Sequence, residues 1–589
     1  MTRDLDPQTA ANLYAAQHVH GIPPEDRRVA FRNIRHALSI HAAATPDKTF
    51  LIAYDGDGAR IEYSFAAFNA RVHQAASFLH DDLGVRRGDR VATIAYNHAD
   101  TVILYFACWL VGATVAPQNV SEDDRRIAFI LRNSEAVVCF VRAEYLERAE
   151  RIIGGGDGDP GAPTVRQIVV MGAMDGMTAR RYPQFEAELE RRPNTFISAD
   201  ETPSLDDEAL LVYTSGTTGA PKGVVLTQYN LLVDAQAIAT WHAITGGQRL
   251  MCVLPIHHVN GIVVTLVTPL VAGASVVLNR AFSSTHFWER IAREGVQIVS
   301  VVPTLLQFCL DFAADQEARG ASIWGDGVGR HDLLRFRHFI CGAGTLSMAL
   351  ARAFEERFGV PILHGYGLSE TTCYSCFLPI ALSWDDHRHW MFDFGYPSIG
   401  CPIEPNEMAI FSAGGEGVQL GPGERGEICV RGHNVMKGYY QRPDANADAF
   451  KFGWFRTGDE GFFERGPDGR PYFFITGRIK ELINRGGVKF SPFDIEEVLA
   501  EIPGVKVGLA IGFKNVYYGE EVGAYVVPEA GAQLDAEAIL AHCRARLTFE
   551  KAPKVVVFGT DIPVTTTGKY QRLKLQDRFA AWEATQFRK

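Results

Sequence analysis

Two hydrophobic spacings alternate along most of the chain. Phe65–His80 repeats its apolar residues at helical intervals, and Arg90–Tyr96 (RVATIAY) is a short apolar run of strand length. Thr101–Val111 is apolar nearly throughout and reads as a buried helix, and Ala136–Val141 reads as a strand. Further strands are predicted at Leu210–Thr214, Val224–Leu226, Ser275–Leu278 and Ile298–Val302. Such alternation favours an α/β fold with substantially parallel sheets. Gly154–Pro163 (GGGDGDPGAP) is a surface loop within it. From about Gly414 the texture changes to short strands and glycine turns, which predicts a β-rich subdomain over about 405–477. After Gly477 it changes again: helix Pro492–Glu501, strands Val507–Gly512 and Val522–Val527, helix Ala536–Leu547 and strand Lys554–Phe558. That is a small α+β unit of about a hundred residues, an ordinary domain size.

Length agrees with several domains, since 589 residues exceed what one core supports. Hydrophobic residues make up 47% and charged residues 22%, a globular balance. A net charge of −11 argues against a nucleic-acid partner. From Glu481 to Lys589 basic and acidic residues balance at fourteen each, so the excess lies before this tail and an anionic ligand meets less repulsion there. Ten scattered cysteines suit a reducing compartment, and the polar start MTRDLDPQTAANLY lacks a signal peptide's apolar region. Thr101–Pro117 is too short to span a membrane, and Val259–Leu278 is broken by Gly261, Pro269 and Gly273. A cytoplasmic protein without a membrane span is expected.

The strongest local signal is Tyr213–Gly223 (YTSGTTGAPKG), directly after an apolar strand. Gly216 and Gly219 let backbone N–H groups cradle an anion; Thr214, Ser215, Thr217 and Thr218 add hydroxyls, and Lys222 adds a point charge. It is not a Walker loop, because Pro221 precedes the lysine and Gly223 follows it.

This segment resembles the phosphate-binding loop of the acyl-adenylating superfamily, which includes acyl-CoA synthetases, adenylation domains of nonribosomal peptide synthetases and firefly luciferase. Further motifs of that superfamily follow in order. Gly365–Thr371 (GYGLSET) resembles the motif whose tyrosine stacks on adenine and whose glutamate binds Mg²⁺; the resemblance implies these roles for Tyr366 and Glu370, with Gly367 beside them and Ser369 in place of a threonine. Cys341–Leu346 (CGAGTL) resembles the loop over the other adenine face, formed by Gly342, Ala343 and Gly344. In RTGD and GRIK, the resemblance implies that Asp459 holds the ribose hydroxyls, Arg478 supports the nucleotide and Lys480 is the hinge. In Pro563–Arg572 (PVTTTGKYQR) it implies that Lys569 is the catalytic lysine bridging carboxylate and α-phosphate. The implied organisation is an adenylate-forming domain over 1–477, a hinge at 478–480 and a mobile C-terminal domain over 481–589.

The resemblance implies ATP, Mg²⁺ and a small-molecule carboxylic acid as reactants, forming an acyl-AMP that passes to a thiol. Ile483–Glu496 resembles the loop lining the pantetheine tunnel, with Gly486 and Gly487 giving close passage and Asp494 where glutamate is common. That loop serves CoA or the phosphopantetheine of an acyl carrier protein. Pro255–Gly261 (PIHHVNG) tilts the expectation to CoA: ligases commonly have Phe-His where this chain has His257-His258, so His258 borders the acyl pocket, unless either is a structural histidine. No acid lies between Asp234 and Glu289 to pair with an α-ammonium, which disfavours amino acids and points to a fatty or aromatic acid. Cys373, Cys376, His387 and His389 do not match structural zinc spacing.

Overall fold

The computed structural model describes residues 5–56, 58–156, 160–174, 181–196, 202–214, 221–564 and 570–588. Among them six strands of the alternating first part, joined at one edge by Gly438–Tyr439, form a seven-stranded sheet. Its strands Arg90–Ile94, Thr114–Gln118, Val138–Arg142 and Gln167–Met171 run parallel. Glu208–Thr214 extends it in the same sense, and Lys222–Thr227 turns back antiparallel.

A second sheet has fourteen strands among the described residues. One half is parallel: Thr49–Tyr54, Ser275–Asn279, Arg249–Cys252, Ile298–Val301, His338–Cys341 and Ile362–Tyr366 are successive neighbours. The other half, from Cys376–Phe377 to Asn406–Phe411, is antiparallel. This is the glycine-punctuated region whose short strands are visible in the sequence.

Between the two sheets lies helix Ala99–Val111, every residue of which is buried. Being covered all round explains its lack of a polar face. His98 caps its start through Asp100 N–H, and Gly112 ends it in the left-handed conformation at φ 86°. The stretch Val259–Leu278 becomes a π-helical turn (Asn260–Val267), a short helix (Thr268–Ala272) and a strand. No helix among the described residues is long and apolar enough to cross a membrane.

The C-terminal unit is a five-stranded sheet over residues 483–558. Helices Pro492–Ala500 and Ala536–Arg546 cover one face, and the segment Arg572–Trp582 covers the other through Leu575 and Phe579. It docks on the larger unit through polar contacts. Asp494 receives the Tyr396 hydroxyl and Arg425 from the large unit and Lys551 (2.5 Å) from its own. Lys506 pairs with Asp311 at 3.0 Å, and Glu497 accepts the Met348 N–H at 3.3 Å.

Candidate functional site

The predicted phosphate loop joins two antiparallel strands rather than a strand and a helix. Thr214 and Lys222 are cross-strand partners, so the loop's ends are fixed by the ladder. Ser215, Gly216, Thr217, Thr218 and Gly219 lie outside the described residues. Beyond the strand, Thr227 caps helix Gln228–Trp241 in a reciprocal pair with Asn230.

Lys222 Nζ stands 4.2 Å from the Tyr439 ring centroid, and the Tyr439 hydroxyl donates to Glu370 Oε1 at 2.8 Å. Burial lowers the Lys222 ammonium from its ordinary value, Glu370 opposes this and the charge of Lys480 adds to it. An incoming phosphate would relieve the crowding of Lys222 and Lys480. Glu370 is buried, and its backbone carbonyl accepts the Met436 N–H, which fixes its turn. Among the described residues no group of three or more acidic, histidine or cysteine side chains is poised to hold a metal. A lone buried carboxylate suits Mg²⁺ arriving with phosphate, since that ion is commonly held by one or two carboxylates plus substrate oxygens.

A cavity of about 460 Å³ lies next to this cluster. Ala343, Gly344, Tyr366, Gly367, Asp459 and Arg478 line it, so four separate motifs converge on one space. Strand pairing sets Asp459 directly opposite Arg478, with Oδ1 of the acid 3.2 Å from Nε. Asp459 Oδ2 accepts the Tyr366 hydroxyl at 2.6 Å. Burial first, and the Asp459 charge second, push the Tyr366 phenol well above its ordinary value, so it remains a donor. Asp459 Oδ1 is buried and completes no hydrogen bond among the described residues. Its contact with Arg478 is an ion pair rather than an aligned hydrogen bond, so the oxygen keeps acceptor capacity that a ribose hydroxyl would fill.

The glycines here have steric reasons. Ala343 sits at φ 65°, a left-handed conformation uncommon outside glycine, in keeping with local strain at a binding site. A Cβ on Gly367 would lie 2.0 Å from Cys373 O and 2.6 Å from Tyr374 Cα, both backbone atoms. Gly367→Ala is therefore expected to lower stability by about 1–3 kcal/mol, the usual cost of overpacking. A melting temperature within a degree of the unsubstituted chain would contradict it.

The C-terminal unit completes the cavity with Tyr570, Gln571, Arg572, Leu573 and Lys574. Lys569 itself lies outside the described residues. Arg572 holds this segment: it bonds Glu496 at 2.8 and 2.7 Å and Glu481 at 2.8 Å. Burial works to lower its guanidinium, but the two carboxylates outweigh burial and raise it above its ordinary value. Arg572 thus ties the turn Ile479–Glu481, the first helix of the small unit and its own segment Arg572–Trp582 together.

Other predicted residues lie elsewhere. Gly486 and Gly487, at φ 60° and 91°, turn an exposed hairpin between Ile483–Arg485 and Val488–Phe490 and do not line the cavity. Lys480 lies in the turn Ile479–Glu481. Ser369 opens the turn Ser369–Thr371 that carries Glu370. Gly342 lies behind the cavity wall, 2.9 Å from Gly365 O as measured to an added Cβ. The His257 and His258 rings lie 4.4 Å apart between centroids, tilted by 57°, and neither lines the cavity. Burial drives the His257 imidazole well below its ordinary value, so it is neutral. His387 bonds Glu355 and His389 bonds Asp393, while Cys376 faces Tyr366 O.

Some residues at the site carried no sequence signal. Arg126, Thr304 and Tyr439 come from remote positions without a recognisable motif; Arg126 lies in a charged DDRR run that reads as an ordinary solvated face. Asp494, expected in a thiol passage, is instead occupied by three partners at the contact between the two units.

This geometry accords with what known proteins show. The model of the AMP-binding enzyme family matches residues 38–440, and that of the AMP-binding enzyme C-terminal domain matches 494–569. The chain is 32% identical to sulfoacetate–CoA ligase of Cupriavidus necator, covering 92% of this chain and 97% of that one. It is 34% identical to oxalate–CoA ligase of Arabidopsis thaliana, covering 87% and 94%. Among solved structures, the anthranilate CoA ligase bound to anthranoyl-AMP matches with a TM-score of 0.80 at 25% identity, covering 95% of this chain and all of that one. The ordered motifs, the shared cavity and these matches together identify the chain as a member of the AMP-binding enzyme family.

Proposed function

We propose that this chain is an AMP-forming acid–CoA ligase, in which the cavity of about 460 Å³ holds the nucleotide. One observation carries the reading: Tyr366, Asp459 and Arg478 of the large unit and the segment adjoining Lys569 of the small unit border the same space. Relatives named as acid–CoA ligases support a CoA acceptor over a carrier protein.

In the first half-reaction a carboxylate oxygen attacks the α-phosphorus of ATP, the bond to the β-phosphate breaks, and pyrophosphate leaves. Asp459 orients the ribose, Tyr366 covers the base, and Lys222 and Lys569 offset charge where two anions approach. Glu370 would hold Mg²⁺, which when bound neutralises phosphate charge. In the second half the CoA thiol loses its proton and attacks the acyl carbon, the acyl–phosphate C–O bond breaks, and AMP leaves. The small unit is proposed to rotate at Lys480 between the halves. Support comes from its two faces: the Lys569 side borders the cavity while the Gly486–Gly487 hairpin stays exposed.

The test is acid-dependent exchange of pyrophosphate into ATP across aliphatic, aryl, hydroxy and amino acids, followed by thioester formation with free CoA or a holo-carrier protein. Exchange plus CoA thioester is expected. Exchange that yields thioester only on the carrier would overturn the choice of acceptor.

Glu497 gives this cycle a pH dependence. Burial against the large unit raises its carboxyl to about 8, with the Met348 N–H opposing and the Glu496 charge adding. Once the small unit rotates away, Glu497 would regain an ordinary carboxylate value. Docking therefore takes up a proton, and Glu497's contribution to the docked arrangement is complete only below the ordinary carboxylate range. That contribution falls as pH rises and is gone above about 8. Pyrophosphate exchange should decline relative to thioester formation from supplied acyl-AMP as pH is raised towards 8, and Glu497→Gln should flatten the ratio. An unchanged ratio profile in the variant would remove Glu497 from the cycle.

A further inference from the structure

Arg126 reaches the cavity from a part of the chain to which the nucleotide reading assigns no role, and the seven-stranded sheet explains how it arrives. Strands Thr114–Gln118 and Val138–Arg142 run parallel on either side of Arg90–Ile94, and helix Asp124–Asn133 lies between them in the chain. A crossover between parallel strands returns against their direction, so this helix begins at the strands' C-terminal ends. Glu208–Thr214 runs parallel to Thr114–Gln118, so Thr214 lies at that same end of the sheet. Ligands of open α/β sheets bind outside the carboxyl ends of the strands. Arg126, in the first turn of the helix, therefore stands on the side where Thr214 and Lys222 pair at the base of the phosphate loop.

Side-chain register narrows the position. Arg126, Phe129 and Asn133 follow at intervals of three and four and so share one helix face. Asn133 Oδ1 accepts the Tyr213 hydroxyl at 2.7 Å, and Phe129 meets the Tyr213 ring edge-on with 6.5 Å between centroids. That face is thus fastened to the residue just before Thr214. Arg126 continues it one turn nearer the helix start and borders the cavity of about 460 Å³.

The guanidinium is only loosely committed there. Its Nε is buried and completes no hydrogen bond among the described residues, and its contact with Glu122 Oε2 at 3.2 Å is an ion pair rather than an aligned hydrogen bond. Both side chains keep part of their exposure, 21% for Arg126 and 28% for Glu122, and such pairs contribute little. A polyphosphate is a stronger competitor, because the planar fork of arginine matches phosphate oxygens two at a time. On the adenylation reading the other lining residues have occupants: Ala343, Gly344 and Tyr366 border the base, Asp459 and Arg478 the ribose, and the segment after Lys569 the α-phosphate. The β- and γ-phosphates, which carry most of the ligand's charge, are left for Arg126.

We propose that Arg126 is a further substrate-contacting residue of adenylation, exchanging Glu122 for the β- and γ-phosphates of ATP and holding them as pyrophosphate leaves. The proposal rests on the adenylation reading above and assigns one more residue to it. As the bond from the α-phosphorus to the bridging oxygen breaks, its electron pair stays on that oxygen and the leaving pyrophosphate gains charge. A guanidinium beside it stabilises that charge.

The experiment compares equilibrium binding of α,β-methylene-ATP and of AMP by calorimetry, in the unsubstituted chain and in Arg126→Gln, Arg126→Lys and Glu122→Gln. Arg126→Gln should weaken the triphosphate analogue by about 10–100-fold, the loss of one charge-assisted contact, and AMP by less than about twofold. The KM for pyrophosphate in the exchange reaction should rise about tenfold or more, while thioester formation from supplied acyl-AMP changes by less than about twofold. Arg126→Lys, which keeps the charge without the fork, should fall between Arg126→Gln and the unsubstituted chain. Glu122→Gln, which releases the arginine, should leave the analogue's affinity unchanged or tighten it. Equal weakening of the analogue and AMP would mean that Arg126 meets the adenosine part or supports the fold, and overturns the proposal. So does an analogue affinity unaltered in Arg126→Gln, a change confined to the KM for the acid, or a weakening in Glu122→Gln as large as that in Arg126→Gln. Any of these results, with exchange intact in the unsubstituted chain, leaves adenylation standing. An unsubstituted chain that binds neither nucleotide and exchanges pyrophosphate with no acid removes the adenylation reading itself. Melting temperatures separate lost folding from lost contact, and Arg126→Lys carries the comparison if Arg126→Gln does not fold.

Discussion

Lys569→Ala is expected to reduce acid-dependent pyrophosphate exchange by roughly 10²–10³-fold, while thioester formation from supplied acyl-AMP changes by less than about fivefold. The asymmetry follows from the site. Adenylation brings a carboxylate towards a polyphosphate, and negative charge accumulates at the α-phosphate as the new bond forms. A flexible, compact ammonium at that point acts only when the segment that carries it borders the nucleotide. Tyr570 to Lys574, directly after Lys569, line the nucleotide cavity, and Arg572 clamps that segment to Glu481 and Glu496. Thioester formation requires attack on the acyl carbon from another direction, for which the lysine has no assigned part. Equal losses in both halves would mean that Lys569 supports folding or nucleotide binding generally. Arg572→Lys supplies a control on the clamp. It keeps the charge but loses the two-pronged hold on Glu496, so it should lower exchange without abolishing it.

The second large effect is expected at Asp459. Asp459→Asn should lower kcat/KM for ATP by roughly 10²–10⁴-fold, as two charge-assisted hydrogen bonds of about 1.5–3 kcal/mol each are weakened. The carboxylate stands at 1% exposure between the Tyr366 hydroxyl and the Arg478 guanidinium. It holds the Tyr366 hydroxyl, and on the proposed function it also accepts donors from the nucleotide. The amide keeps the shape but replaces one acceptor with a donor, which opposes both tasks. With acyl-AMP supplied, the KM for CoA should change by less than about threefold, because the thiol does not meet the ribose. An ATP KM equal to that of the unsubstituted chain would remove Asp459 from the nucleotide site.

How legible the site was depends on how each part is encoded. Residues 365–371 and 456–459 are local motifs, so each announces itself by spacing and residue type. The phosphate loop does so as well, since its glycines and hydroxyls must follow one another for successive backbone donors to converge. Tyr439 and Arg126 gave no such signal. Each is contributed singly by an element whose sequence obeys only the ordinary rules of packing and solvation, and only the fold delivers it to Glu370 or to the cavity. Asp494 shows a different gap: its position in a recognisable loop suggested a thiol passage, whereas docking of the small unit gives it Tyr396 and Arg425 as partners beside Lys551 of its own unit.

The same division holds for the fold. Helix and strand over the first part were readable because apolar spacing is a local property, and the buried helix Ala99–Val111 follows from a run with no polar face. The order of strands was not readable, because pairing joins residues far apart in sequence and each strand is apolar enough to serve in several positions. By itself, then, the sequence determined which local motifs this chain carries, YTSGTTGAPKG, CGAGTL, GYGLSET, RTGD and PVTTTGKYQR, and their resemblance to a family implied the chemistry proposed for them. The tertiary structure alone decided what that chemistry faces. It set Asp459 opposite Arg478, carried the segment beside Lys569 to their cavity, and stood Tyr374 behind Gly342, because distance and burial between remote residues exist only once the sheets have formed.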